Sequence, residues 1–343
     1  MPETIPSDKA VLPAWRKDFR RLSELDKGPV PMLIEHILPA EGVTFIGSLS
    51  GVGKTWLSLA MAKALRTGKP LFGHFPVTEI VPVVYLVPEM GSRAVRNRIE
   101  KLGIPDSEEF LVRTLKEGVM HLNSPKLRDM VKALQPVLFL DTAIRFMRGA
   151  EENSSSANSI GLAESIFELL RLGARAVNCL HHSPKSSSKA PCMTLENVLR
   201  GTGDFGAMCE VVWGVERARR KKGKGWDYEY EKASADLTRL NVECLKGRDI
   251  PDVADPFIIQ GRPYLDECGD FAIIRSDGLE VRCQKLSTDE RLRQILSKIQ
   301  YDRRTSLRTL SKLSGWNTAT IKQHAEAEGW QFTSEGWQPS DHQ

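Results

Sequence analysis

Residues 46–60 read IGSLSGVGKTWLSLA, and this stretch decides the fold. The apolar run VTFIG at 43–47 precedes it, and a helix-forming segment over 54–66 follows. Between them lies a loop ending in Gly53-Lys54-Thr55. Strand, tight loop and helix N-terminus together make an anion cradle, because backbone N–H groups turn inward and the helix dipole favours negative charge. The usual phosphate-loop spacing has a glycine where this chain has Ser48. That glycine is a turn residue and Gly47 lies one position earlier, so Ser48 removes no phosphate ligand. Ser50, Gly51, Val52, Gly53, Lys54, Thr55 and Trp56 are therefore expected to bind the nucleotide. Lys54 reaches the β and γ oxygens, and the Thr55 hydroxyl holds Mg²⁺.

The bulk properties set bounds around this loop. With 343 residues the chain can hold one large domain with an appendage, or two domains. Its apolar content of 41% supports a sizeable core. A net charge of +4 excludes a uniformly basic, histone-like protein but allows a basic channel or patch. Six cysteines without a CxxC pair argue against structural zinc and for a reduced, cytoplasmic chain. The start, MPETIPSDKAVLPAW, lacks a basic segment followed by an apolar run, so no secretory leader is expected. No apolar stretch approaches membrane-spanning length.

Downstream, short apolar runs alternate with helical patterns. VVYLV, VLFLD and AVNCLHH read as strands, and 92–102 and SIGLAESIFELLRLG as helices. That alternation predicts an α/β fold with a mostly parallel sheet. Three strand ends carry polar groups, where open sheets place their sites. Glu89 follows VVYLVP and is the candidate carboxylate for activating water. Asp141 ends VLFLD and is the candidate for ordering a metal's water shell. His181 and His182 end the next strand, and either one can meet a γ-phosphate or pack beneath the following loop. After 208, EVVWGVERA and TRLNVECLKG predict an antiparallel extension of the sheet, joined by the basic RRKKGKGWDYEYEKAS. Short strands are weakly indicated over 257–283. Over 287–343, three short helices and the hairpin WQFTSEGWQ predict a winged helix-turn-helix. The expected division is an arm over 1–40 with one helix in AWRKDFRRLSEL, an ATPase domain over 41–283, and the winged helix over 287–343.

GVGKT, YLVPEM, LFLDT, LHHSPK, LRGTGDFGAMCEVVWGVER and LKGRD, in this order, resemble the RecA-like ATPases of the DnaB/RepA hexameric replicative helicase group. The resemblance runs from about Pro29 to Ile259. It implies an ATP- and Mg²⁺-dependent DNA helicase, with Glu89 as catalytic base, Asp141 at the metal and His181 or His182 at the γ-phosphate. It also implies a ring, usually of six subunits, in which Lys246 and Arg248 enter the neighbour's ATP site. Read without the resemblance, two cations at i, i+2 equally suit a solvated strand edge. A plasmid, phage or other mobile element is the implied home, with replication-initiation proteins as further partners. The alternative is a DNA-binding initiator or regulator that uses ATP as a switch and does not unwind.

The resemblance further implies that loops near 145–159 and 183–206 face the ring's channel. The second carries Lys185, Lys189 and Arg200, which suit a sequence-blind grip on single-stranded DNA. The first carries Arg145 and Arg148 beside Glu151 and Glu152. The cluster RARRKKGKG at 217–225 fits either DNA contact or a soluble hairpin tip. Helix 317–328 carries Lys322 and His324 but also Glu326 and Glu328, and so suits a DNA groove or a protein partner.

Overall fold

The computed structural model describes residues 14–147, 155–184, 192–199, 204–221, 228–230, 238–250, 253–261, 271–274, 292, 295–296, 299–300, 303–307, 310, 318–334 and 336–339. Every structural statement below is made of these residues.

The strands run β1 (Met32–Ile34), β2 (Leu38–Pro39), β3 (Val43–Ser48), β4 (Val83–Leu86), β5 (Phe110–Arg113), β6 (Val137–Leu140), β7 (Ala176–His182), β8 (Val211–Arg217), β9 (Arg219–Lys221), β10 (Tyr228–Tyr230), β11 (Thr238–Gly247), β12 (Phe257–Gly261), β13 (Phe271–Ile274), β14 (Trp330–Thr333) and β15 (Gly336–Pro339). The helices are α1 (Lys54–Thr67), α2 (Ser92–Leu102), α3 (Pro125–Leu134), α4 (Ser155–Arg171), α5 (Leu195–Val198), α6 (Asp204–Met208) and α7 (Thr318–Ala327).

The main sheet has the order β13-β12-β11-β8-β3-β7-β6-β4-β5. From β5 to β8 every neighbouring pair is parallel. From β8 to β13 every pair is antiparallel. The mostly parallel α/β sheet expected from the sequence is thus present. One detail differs: β8 is itself parallel to β3, because α5 and α6 form a crossover that returns the chain to the same end of the sheet.

Parallel strands covered on both faces read as near-continuous apolar runs, as β4 and β6 do, while β3 and β7 are buried along almost their whole length although each carries polar residues. One face packs on α1, with Ile46, Leu57, Met61, Tyr85, Phe139 and Trp213 in a single cluster. The other face packs on α3 and α4, with Phe45, Leu138, Ile166, Cys179 and Phe205. Each such side chain contributes about 1.5–3 kcal/mol when fully buried.

Residues 32–40, read from the sequence as part of an arm, join this core. Leu33, Ile34, Ile37 and Leu38 are buried against the α1 face, and Trp213 Nε1 donates to Ile37 O at 3.0 Å. The helix expected in AWRKDFRRLSEL is replaced by two 3-10 turns, Ala14–Asp18 and Leu22–Glu24. At the other end α7 and the antiparallel β14–β15 hairpin lie where the sequence predicts the third helix and the hairpin after it. Ile321, Ala325 and Trp337 form a small separate cluster with Ile295, Ile299 and Leu310. The first two helices expected in this region lie mostly outside the described residues, so the winged helix stays an expectation. No helix among the described residues is long and apolar enough to cross a membrane.

Candidate nucleotide site

β3 delivers the loop 49–53 to the start of α1. Gly53 has φ 131° and Gly51 φ 73°, a region that favours glycine. A side chain at Gly53 would also meet Leu240 Cδ1 at 3.1 Å. Gly47 serves another purpose. A Cβ there would sit 2.2 Å from Val198 Cγ1, so its hydrogen lets α5 press against β3.

Ser48, the residue in place of the usual glycine, is buried and used. Lys54 Nζ donates to Ser48 O at 2.9 Å, Ser48 Oγ at 3.0 Å and Leu49 O at 3.0 Å. Lys54 Nζ also lies 3.1 Å from His182 Nδ1. An ammonium has only donors, so Nδ1 accepts and the imidazole proton sits on Nε2. Burial, then the charges of Lys54 and Arg145, hold the His182 pKa below its usual range, consistent with a neutral ring. Burial likewise lowers Lys54 to about 8, and the Asp141 charge acts against that shift.

The adjacent strand tips bring carboxylates. Thr55 Oγ1 donates to Asp141 Oδ2 at 2.8 Å, and Tyr85 OH donates to the same oxygen at 3.2 Å. Tyr85 is itself hydrogen-bonded to Ser58. Burial raises the Asp141 pKa, opposed by these two hydrogen bonds and by Lys54 and Arg98. Arg98 on α2 stacks over Trp56, its guanidinium carbon 5.6 Å from the ring centroid. β4 ends at Leu86, and Glu89 lies exposed in the turn beyond Pro88. Arg145, in the 3-10 turn Ala143–Phe146 after β6, donates through Nε to Glu89 Oε1.

The two histidines separate cleanly. Successive residues of a strand face opposite sides. His181 is buried against Phe45 and Phe205, at 6.4 and 5.4 Å between ring centroids. His182 is the one that meets Lys54. Lys246 and Arg248 lie at the end of β11 and hold the C-terminal carbonyls of α6. Lys246 Nζ donates to Gly206 O and, at 2.8 Å, to Cys209 O, while Arg248 donates to Ala207 O at 2.7 Å. Glu210 pairs with Arg248 at 3.6 Å. Lys185, Lys189 and Arg200 lie outside the described residues, as does much of the 217–225 cluster.

A cleft of about 180 Å³ adjoins the loop, lined by Leu49, Val52, Met193, Val198, Glu216 and Arg217 among others. Arg217 donates to Gly51 O at 3.1 Å, tying the far wall of the cleft to the loop. Sequence reading missed Tyr85, Arg98, Arg145 and Arg217 as neighbours of this site. Tyr85 looks like one more core residue of VVYL, and the arginines carry no local motif.

A strand, a glycine loop with its lysine, a helix-start threonine bonded to a strand-end aspartate, and this sheet order define a RecA-like P-loop ATPase. The sequence matches the AAA domain family over residues 8–188, just over half of the chain, and the chain belongs to that family. No curated protein matches it. Among solved structures similar to it is an ATPase domain that matches at 14% identity over 68% of this chain and 85% of that chain, with a TM-score of 0.49. A DnaB-like replicative helicase, described with its interactions with primase, matches at 15% identity over 73% of this chain, with a TM-score of 0.46. The match spans 65% of that helicase's own length. A KaiC-like protein from the hyperthermophilic archaeon Pyrococcus horikoshii matches at 14% identity over 73% of this chain and 99% of that chain, with a TM-score of 0.45.

Proposed function

We propose that the protein is an ATP-dependent DNA translocase of the replicative-helicase type, acting as a ring of identical subunits in the replication of a plasmid, phage or other mobile element. The observation that carries this reading is the meeting of Lys54, Thr55, Asp141 and His182 at neighbouring strand tips, with Glu89 one turn beyond β4.

The residues fit Mg²⁺. Thr55 Oγ1 and Asp141 Oδ2 are hard oxygen donors 2.8 Å apart, and Mg²⁺ on phosphates takes few protein ligands. When bound, the ion neutralises charge that develops on the phosphate oxygens. Thr55 and Asp141 would hold it directly and through water. Lys54 leaves the Ser48 and Leu49 carbonyls to grip the β and γ oxygens. Glu89 takes a proton from the attacking water. The adjoining cleft takes the base, with Arg217 on its wall. His182 joins Lys54 to the loop over 183–206, where Lys185, Lys189 and Arg200 would grip a single strand. Lys246 and Arg248 of a neighbouring subunit would neutralise transition-state charge, an effect of about 10³-fold or more.

The test is ATP hydrolysis with and without single-stranded DNA, run with a strand-displacement assay and a mass measurement in nucleotide. Strand-stimulated hydrolysis, displacement and a closed oligomer are the expected results. Slow, unstimulated hydrolysis with site-specific duplex binding would replace this reading with an ATP-switched initiator or regulator.

A further inference from the structure

Glu89 and Arg145 are 56 residues apart in sequence and ion-paired in the fold. Arg145 follows Asp141 by one 3-10 turn, so the strand tip that carries the metal carboxylate also carries a cation for the neighbouring tip. The Arg145 and Glu89 side chains are 57% and 36% exposed. Exposed pairs are weak and screened by salt, so a more highly charged anion exchanges with them readily. The Arg145 charge also helps hold His182 neutral, and His182 touches Lys54. One guanidinium is therefore engaged electrostatically with both the carboxylate and the lysine-bearing side of the site.

A carboxylate oxygen that accepts from a guanidinium has one lone pair fewer for a water proton. Guanidinium binds phosphate oxyanions through parallel hydrogen bonds, which makes phosphate the natural competitor. We propose that Arg145 is a positioning residue that restrains Glu89, and that a phosphate oxyanion draws it off and frees the carboxylate. The idea rests on the reading of Glu89 as the water-activating base. The oxyanion has two sources, the terminal phosphate of the nucleotide and the backbone of a DNA strand.

Arg145→Gln and Arg145→Lys, made in the full chain, separate the sources through ATP hydrolysis with and without oligothymidylate. If the strand releases Arg145, Arg145→Gln raises strand-free kcat about two- to five-fold, the size of an exposed pair, and cuts strand stimulation by the same factor. If the nucleotide releases it, kcat holds and KM for ATP rises by a similar factor. The acid limb of kcat/KM, set by the free protein, then moves up toward that of kcat. In either case Arg145→Lys keeps the charge but loses the parallel hydrogen bonds, so its kcat and KM fall between those of the native chain and Arg145→Gln. A loss of kcat of tenfold or more in both conditions would overturn the restraint and make Arg145 a direct ligand of the transferring phosphate. Unchanged kcat, KM and acid limbs would overturn it too. Glu89→Gln separates the two layers. Its near-normal turnover would remove the base assignment, whereas its inactivity beside an unaltered Arg145→Gln would leave the base and discard the restraint.

Discussion

Thr55 Oγ1 donates to Asp141 Oδ2 across 2.8 Å and so joins the first turn of α1 to the tip of β6. The same oxygen accepts from Tyr85 OH at 3.2 Å, a buried phenol that Ser58 in turn holds. The carboxylate is therefore oriented from two sides before any ion arrives. Asp141→Asn keeps the size and removes the charge. The expected outcome is a half-saturating Mg²⁺ concentration raised by about tenfold to a hundredfold, while the fold and its melting temperature hold. Tyr85→Phe leaves the charge and loosens its aim, so its effect falls at the low end of that range. An Mg²⁺ titration of ATP hydrolysis measures both.

Lys54 gives a pH prediction with a definite sign. Its amine is lowered to about 8 in the free protein, chiefly by burial. A bound triphosphate favours the charged form and raises that value. Affinity is then flat below pH 8 and falls above it, by up to about tenfold per pH unit. Equilibrium binding of ATP between pH 6.5 and 9.5 reads this slope, and Lys54→Ala loses it.

The late-strand cations divide two accounts of one pair. In this chain Lys246 and Arg248 hold the carbonyls at the end of α6, beside the segment that closes the loop over 183–206. If they also serve the neighbour's phosphate, Arg248→Ala subunits regain hydrolysis when mixed with Lys54→Ala subunits. Absence of rescue at every mixing ratio would confine the pair to capping α6 within its own subunit.

Glu243 on β11 is buried, and burial together with the nearby Glu216 charge lifts its carboxyl to about 7 from about 4.5. The folded chain keeps this proton longer than the unfolded chain does. Stability therefore falls as pH rises from about 4.5 to 7 and stays reduced above that range. Glu243→Gln removes the loss. It should stabilise by roughly 1–3 kcal/mol at pH 8 and change little at pH 4.5, as denaturant melts at the two values would show.

What could be read in advance follows from how locally each feature is encoded. β4 and β6 are continuous apolar runs because both faces of each are covered, and such runs stand out from their surroundings. β5 is a half-exposed edge strand, FLVR, whose four residues carry no such signature. α3 starts at Pro125 and buries only Leu127 and Val131, so its period is brief and easily passed over. Lys54, Thr55 and Asp141 were legible because each sits at a strand or helix end with an apolar run beside it. The choice of His182 over His181 follows from the two-residue alternation of β7, once the covered face is known. Arg145 and Arg98 were not legible, since their partners lie on other elements and only the sheet order brings them close. The cations Lys185, Lys189 and Arg200 rest on resemblance alone.

Turnover of Glu89→Gln at saturating Mg²⁺ and ATP, with single-stranded DNA present, tests the central claim most directly. This change keeps the side chain's size and removes its basicity. The account predicts ATP binding near the native level with hydrolysis reduced by about 10²–10⁴-fold. Hydrolysis close to the native rate would contradict it and require another group to activate the water.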